Sequence, residues 1–313
     1  MIAIKTEDLS KYYGKVKALH KLNLEVPENV AFGFLGPNGA GKSTTVKLLT
    51  AFARPTSGKA YVAGEKVSSD NLALKSKIGF LPDVPAFYDW MTGREFLCMV
   101  GELHRLPVNE IKNRTEEMLD LVELKKAGSR RIGGYSRGMR QRLGIAQALI
   151  NRPKVIFMDE PTSALDPIGR REVLELVSRL KQNATIFMST HILSDVERVC
   201  DMVGIINQGN LIAVSSVSDL QKQYARSVFE MEFLEDGNRF AESLKQVPWL
   251  VKPEFIPDHG HPMVRVTAVD INQAKKELPH LVGESGLTMT RYELVMPDLE
   301  EVFINIINGR DSR

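Results

Sequence analysis

The sequence predicts an α/β fold with a mostly parallel sheet, followed by a smaller α+β domain. Before about residue 215, apolar runs of strand length alternate with helical patterns, at residues 30–35, 155–158, 185–189 and 203–207. Between residues 86 and 151 these runs give way to apolar residues at helical spacing. We therefore expect a sheet domain at 1–222, with a helical insertion at about 86–151, and a second domain at 223–313.

The composition allows two folded domains and excludes several protein classes. The chain has 313 residues, 43% of them hydrophobic, which suffices for one large core and a smaller one. Its 41 basic and 39 acidic side chains nearly cancel, so no overall charge draws it to nucleic acid. Cys98 and Cys200 lie far apart and outside any CxxC pattern, which argues against a disulfide framework or a zinc site. No apolar run reaches the ~20 residues that span a bilayer, so we expect membrane contact through a partner.

The helical insertion and the second domain have distinct periodicities. Helices are expected in the insertion at 95–103, 111–121 and 138–150. Strands and helices alternate in the second domain at 228–234, 239–246, 250–256, 263–269, 271–278 and 287–295, an order typical of a ferredoxin-like module. A last helix is expected at 299–307, with Asp298 as its cap and Glu301 in the capping-box position. His259 and His261 form an HxH without a third ligand, which indicates solvated loop residues.

A glycine-rich phosphate loop follows the first apolar run. The segment matches GxxxxGK[ST], lies between a predicted strand and a predicted helix, and comprises Gly36, Pro37, Asn38, Gly39, Ala40, Gly41, Lys42, Ser43 and Thr44. Glycines let backbone N–H groups face phosphates, and the helix N-terminus behind them favours negative charge. We expect Lys42 to bind the β- and γ-phosphates of ATP, and the Ser43 hydroxyl to ligate Mg²⁺.

Two carboxylates follow the apolar run at 155–158. Asp159 and Glu160 come at the carboxyl end of this predicted strand, the edge at which α/β proteins place their ligands. Asp159 is suited to holding Mg²⁺, and Glu160 to acting as a general base toward the attacking water. His191 follows the run at 185–189 and is expected at the same edge, where a neutral imidazole could contact the γ-phosphate or orient Glu160.

Taken together, these residues resemble the nucleotide-binding subunit of ATP-binding cassette (ABC) transporters over roughly the first 220 positions. The resembling segments are Walker A at 36–44, Walker B at 155–159 with Glu160 after it, the D-loop at 163–166, the switch histidine His191 and the signature at 135–139. In that family the signature serine and the following helix N-terminus face the γ-phosphate of the partner subunit. The resemblance therefore implies nucleotide contacts for Ser136 and Gly138, and for Asp166 in the D-loop.

The match departs from the family pattern at several positions. Arg137 and Met139 replace a glycine and a glutamine of the signature, a variant that resembles the subfamily driving ABC-2-type exporters. Asp83 stands where the Q-loop glutamine is usual, and its carboxylate is a candidate Mg²⁺ ligand or a turn cap. Tyr13 resembles the aromatic residue that stacks on adenine, and Tyr12 is the less favoured choice. Residues 227–307 resemble the accessory domain that follows the cassette in such exporters, with a regulatory or architectural role.

The resemblance implies an ATPase subunit that dimerises around two Mg-ATP molecules and drives a separate membrane permease, in an exporter rather than an importer. The second subunit is expected to be identical, and the protein to lie in the cytoplasm on the inner face of the plasma membrane, without nucleic acid. The alternative is a soluble ABC ATPase of translation or DNA repair, but the chain has one Walker A and no basic stripe. A non-catalytic nucleotide sensor would most simply lack Glu160 or His191, and both are present. The sequence does not identify the cargo.

Overall fold

The computed structural model describes residues 1–163, 165–224, 227–257, 262–295, 300 and 303. The chain divides into two compact units, Met1–Val217 and Ser218–Arg313, so the division falls near the predicted 222/223 boundary. The elements of the first unit are β1 (Ile2–Tyr13), β2 (Val16–Pro27), β3 (Ala31–Leu35), α1 (Lys42–Leu49), β4 (Ser57–Val62), β5 (Glu65–Lys66), α2 (Leu72–Lys77), β6 (Ile78–Leu81), α3 (Gly93–Leu103), α4 (Val108–Leu121), α5 (Arg137–Leu149), β7 (Val155–Asp159), α6 (Pro167–Leu180), β8 (Thr185–Thr190), α7 (Leu193–Val199), β9 (Met202–Asn207) and β10 (Asn210–Ser216).

The central sheet has the strand order β10-β9-β3-β8-β7-β6. Strands β9, β3, β8, β7 and β6 pair in parallel, and β10 adds an antiparallel edge. Every residue of β3, β7 and β8 is buried, which explains why these strands read as continuous apolar runs rather than as alternating patterns. The predicted, mostly parallel α/β sheet is confirmed, and it brings the carboxyl ends of β3, β7 and β8 to one edge.

The first unit also contains an antiparallel sheet of order β2-β1-β4-β5, which the sequence pattern did not predict. Strands β1 and β2 precede α1 in the chain, and β4 and β5 follow it. Its inward side chains, including Leu22 and Leu24 of β2, share one core with Phe32 and Phe34 of the central sheet and Val46 of α1. The shared core holds α1, and with it the phosphate loop, between two sheets.

The helical insertion comprises α3, α4 and α5, and each begins close to its predicted start. Thr92 caps α3 in a capping box with Glu95, whose pKa is lowered because its carboxylate accepts the Thr92 backbone N–H. Ser136 caps α5, where its side chain accepts from the Met139 N–H. The helix that follows the signature segment therefore begins immediately after its serine.

The second unit has the predicted strand–helix order. Its elements are α8 (Val217–Tyr224), which begins at the last residue of the first unit, β11 (Ser227–Phe233), α9 (Asn238–Leu244), β12 (Leu250–Ile256), β13 (Met263–Ala268), α10 (Ile271–Ser285) and β14 (Met289–Val295). The sheet order β12-β13-β11-β14, antiparallel throughout, is that of a ferredoxin-like module. Phe229, Met231 and Phe233 anchor a core made of residues of this unit alone.

Helix α10 continues beyond its predicted end at residue 278. It passes through Pro279 and ends at Ser285, and the next residue, Gly286, has a left-handed backbone (φ 72°). Pro279 is exposed, so water can bond the backbone carbonyl that its missing N–H leaves free. Apart from residues 300 and 303, the predicted helix at 299–307 lies outside the described residues, as do its capping residues and the histidines at 259 and 261.

Candidate active site

The phosphate loop joins β3 to α1 and depends on glycine at two positions. Gly39 and Gly41 have φ values of 79° and 112°, which side chains other than glycine rarely adopt. A Cβ atom on Gly41 would also lie 2.5 Å from the carbonyl oxygen of Ala18. No side chain caps α1, so the N–H groups of its first turn stay open to a bound anion.

Lys42 is almost fully buried, with 6% of its side chain exposed. Its Nζ donates hydrogen bonds to the carbonyl oxygens of Gly36 at 2.7 Å and Pro37 at 3.3 Å. The same Nζ lies 3.3 Å from Glu160 Oε1. The lysine charge is therefore held under the loop and paired with the carboxylate that follows β7.

Oxygen atoms converge between the first turn of α1 and the end of β7. Ser43 Oγ donates to Asp159 Oδ1 at 3.2 Å, and Ser189 of the intervening strand β8 donates to the same oxygen. Asp159 is only 7% exposed. A hydroxyl beside a carboxylate is the type of oxygen donor that Mg²⁺ prefers, so these residues fit the ion. Within the described part of the chain, no three His, Cys, Asp or Glu side chains cluster as a metal site, so phosphate oxygens of the nucleotide would have to complete the set.

Glu160 has a left-handed backbone and contacts both Lys42 and His191. Its φ of 48° lies in the left-handed region, a conformation that is costly for a residue with a side chain and is concentrated at functional sites. The Glu160 N–H donates to the Ser189 carbonyl at 2.9 Å, which holds this conformation. Its Oε2 lies 2.8 Å from His191 Nδ1. The carboxylate therefore lies between Lys42 and His191, with 12% of the side chain exposed.

The segment that follows Glu160 is fixed by partners that the sequence analysis did not identify. Gln141 of α5 donates from Nε2 to the Pro161 carbonyl at 2.8 Å, and Thr162 donates to buried Asp195 at 2.5 Å. Each partner is distant in sequence, and neither belongs to a short motif with known chemistry. No spacing rule in the sequence marks these residues, and only their contacts in the folded chain identify them.

The remaining predicted site residues lie on other loops and helix starts. Asp166 caps α6 by accepting the Gly169 N–H at 3.3 Å, and Asp83 accepts from Ser163 Oγ at 3.1 Å. Ser136 Oγ accepts from Met139 N at 3.2 Å, which leaves its hydroxyl proton available to a second partner. Among the described hydrogen bonds, none joins Ser136 to the cluster of Lys42, Asp159, Glu160 and His191.

The two tyrosines near the start of the chain have different surroundings. Tyr12 Oη lies 2.8 Å from His20 Nδ1, so this hydroxyl is used within the fold. Tyr13 is 50% exposed, and Lys11 Nζ lies 4.9 Å from its ring centroid. Lys11 is itself held by the Arg54 carbonyl at 2.7 Å. Of the two rings, that of Tyr13 is the one open to a flat ligand.

The site has the features that define a P-loop nucleotide hydrolase. A glycine-rich loop joins a strand to a helix, and an aspartate and a glutamate lie at the end of a nearby parallel strand. Residues 19–163 match the family model described as ABC transporter. The chain is 38% identical over 304 residues to the uncharacterized ABC transporter ATP-binding protein YxlF of Bacillus subtilis, covering 97% of this chain and 99% of that protein. It is 36% identical to the bacitracin transport ATP-binding protein BcrA of Bacillus licheniformis, covering 98% and 97%.

The structure gives the same answer. It is similar to a dimeric bacterial ABC transporter cassette with a TM-score of 0.62 and 26% identity, over 68% of this chain and 98% of the cassette. The chain therefore belongs to the ABC transporter family, as an ATP-binding subunit that hydrolyses ATP. The alternative of a translation or repair ATPase is not favoured. Among the described residues, no helix is both long and apolar enough to cross a bilayer.

Proposed function

We propose that Glu160 is the general base of ATP hydrolysis in this subunit, and that His191 positions it. The observation that carries the proposal is the place of the Glu160 carboxylate, 3.3 Å from the phosphate-loop Lys42 and 2.8 Å from His191. A base one residue beyond the metal-facing Asp159 can reach a water that attacks the γ-phosphate. Phosphate binding would draw Lys42 from Glu160, which frees the carboxylate to accept a proton.

Mg²⁺ would be held by the Ser43 hydroxyl and Asp159. The support is their 3.2 Å hydrogen bond and the burial of Asp159. A bound Mg²⁺ supplies charge neutralisation for the β- and γ-phosphates. Asp83 stays a predicted further ligand, although the described partner of its carboxylate is the Ser163 hydroxyl.

ABC ATP-binding domains act as dimers with membrane permeases, and we assign Ser136 and Gly138 to the nucleotide of a second, identical copy. Ser136 keeps a free hydroxyl proton at the start of α5, and a Cβ on Gly138 would meet no heavy atom within 4 Å. An open helix start without bonds to the catalytic cluster of its own chain suits a phosphate presented from outside. Asp166, at the start of α6, would lie near the same interface.

The permease would contact the helical insertion through a groove of about 420 Å³ that lies beside β6. Phe52, which is 71% exposed, packs on Phe80 there with ring centroids 5.3 Å apart. Leu103, which is 74% exposed, lines a neighbouring pocket that shares His104 and Gln147 with this groove. We therefore propose an amphipathic helical segment of the permease as the occupant, with apolar side chains against Phe52 and Leu103.

The direction of transport that we propose is export. The support is the likeness over nearly the whole chain to BcrA, whose name assigns it to bacitracin transport. The subunit would then work in the cytoplasm, on the inner face of the plasma membrane. Co-purification of the subunit with an integral membrane protein from detergent extracts would test this assembly.

The enzymatic assignment is tested by Glu160→Gln in the isolated subunit. We expect binding of a fluorescent ATP analogue to persist and turnover to fall by about 100-fold or more, because only the activation of water is lost. The control is Glu277→Gln, an exposed glutamate of α10 in the second unit, which should hydrolyse ATP normally. Near-normal steady-state hydrolysis by Glu160→Gln would refute the assignment of the base.

A further inference from the structure

Asp195 of α7 is a fully buried acid that the proposed mechanism does not use. It is 0% exposed. Its Oδ2 accepts from Thr162 Oγ1 at 2.5 Å, and its Oδ1 accepts from Arg170 Nε at 2.7 Å. Arg170 also donates from a terminal nitrogen to Ser194 Oγ at 2.8 Å. A buried carboxylate is costly unless it is paired and hydrogen-bonded, and both oxygens of Asp195 have charged or polar donors.

Asp195 and its partner Thr162 each follow closely on one residue of the proposed catalytic pair. Thr162 is two residues beyond Glu160, in the loop from β7 to α6. Asp195 is four residues beyond His191, in the first turn of the helix that follows β8. The two loops are thus joined twice, by the Glu160–His191 contact and by the Thr162–Asp195 bond.

The Glu160–His191 contact and the Thr162–Asp195 bond differ in their exposure to solvent and in whether hydrolysis requires them to rearrange. The His191 side chain is 45% exposed, and hydrolysis requires Glu160 to exchange its contacts for water and phosphate. Thr162 and Asp195 are 2% and 0% exposed and contact no reacting atom. The buried bond can therefore stay intact while the exposed contact rearranges.

We infer that Asp195 is a positioning residue that holds the Glu160 loop and the His191 loop in register through Thr162. This inference rests on the proposed role of Glu160. Arg170, at the start of α6, neutralises the buried charge and ties the same carboxylate to the helix that follows the Glu160 loop. Loss of the Thr162 hydroxyl would leave one oxygen of Asp195 without a donor and free the Glu160 loop to shift.

The test is Thr162→Val, which keeps the shape of the side chain and removes its hydroxyl. We expect kcat to fall about 10- to 100-fold because a small misplacement of a catalytic group has that effect. The Kd for a fluorescent ATP analogue should stay within about twofold, since no phosphate-binding group is changed. Thr162→Ser should restore kcat, because serine returns the donor.

Asp201→Asn is the matched control. Asp201 also joins two elements, accepting from the Ala31 N–H and from Lys181, but it does so at the start of β3, away from the phosphate loop. This variant should keep kcat, whatever its effect on the melting temperature.

Two results would overturn the inference. One is an unchanged kcat in folded Thr162→Val, and the other is a loss of kcat that Thr162→Ser does not rescue. If Thr162→Val does not fold, Asp195→Asn decides the question, since an amide offers one oxygen for two donors and must show the same loss of kcat at constant Kd. If Glu160→Gln abolishes turnover while these variants leave kcat unchanged, the proposed function stands and only the role of Asp195 fails.

Discussion

Lys42 Nζ and Glu160 Oε1 lie 3.3 Å apart, so the charge proposed to bind phosphate and the carboxylate proposed as the base pair with each other at the centre of the site. Lys42 has two further acceptors, the Gly36 and Pro37 carbonyls. An incoming phosphate must therefore compete with a satisfied set of contacts for the lysine. This competition would couple phosphate binding to release of the proposed base.

Lys42→Ala should weaken ATP binding about 10- to 100-fold, because it removes a charge-assisted hydrogen bond to phosphate. Titration with a fluorescent ATP analogue measures the effect. Lys47→Ala is the control, since Lys47 lies on the exposed side of the same helix α1. Unchanged binding by folded Lys42→Ala would contradict the assignment of the phosphate loop.

Tyr13→Ala should weaken ATP binding about 3- to 10-fold through loss of a stacking surface, while Tyr13→Phe should bind like the unchanged protein. Tyr12→Phe should also bind normally, because the Tyr12 hydroxyl contacts His20 rather than an open surface. Calorimetric titration of the three variants distinguishes the two tyrosines. Stronger loss from a Tyr12 variant than from Tyr13→Ala would reverse the assignment.

Asp83→Ala should keep the affinity for ATP within a few-fold and lose the stimulation of hydrolysis by the permease. The reason is that the Ser163 hydroxyl lies 3.1 Å from Asp83 Oδ1 and 3.2 Å from the Glu160 carbonyl, so it links the Q-loop position to the Glu160 loop. Asp83→Gln should restore much of the stimulation, since an amide oxygen can also accept. The measurement is ATPase activity of the subunit alone and in the permease complex. Undiminished stimulation of Asp83→Ala would identify Asp83 as a turn residue.

Removal of the chain after residue 224 should leave ATP binding intact. All residues of the proposed site belong to the first unit, and the buried residues of the second unit form a core of their own. Binding of the ATP analogue and the melting temperature of the truncated protein provide the measurement. A folded truncation that no longer binds nucleotide would show that the second unit contributes to the site.

The sequence predicted the features that depend on local pattern. The buried strands β3, β7 and β8 are continuous apolar runs, and Gly41-Lys42-Ser43 follows one of them, so both the sheet and the phosphate loop were recognisable. The order of strands and helices in the second unit was recognisable because it too follows from local sequence patterns.

The antiparallel sheet could not be predicted in the same way. Strands β1 and β2 carry many charged side chains, and their pairing shifts register four times, between Ile2 and Ile4 and at three further places up to Tyr12. Such shifts interrupt the alternation of apolar and polar residues that identifies a half-buried strand. Asp195 and Gln141 were also missed, because a buried polar residue derives its role from partners that are distant in sequence.

The proposal that two copies of this chain share each nucleotide is tested most directly by the mass of Glu160→Gln in solution. Light scattering should give a monomer of 35.0 kDa without nucleotide and twice that mass with saturating Mg-ATP, because the variant binds ATP without consuming it. Adding Ser136→Ala should lower the dimer fraction, since this hydroxyl is proposed to contact the nucleotide of the other copy. A Glu160→Gln protein that binds ATP and stays monomeric at saturation would contradict the shared site.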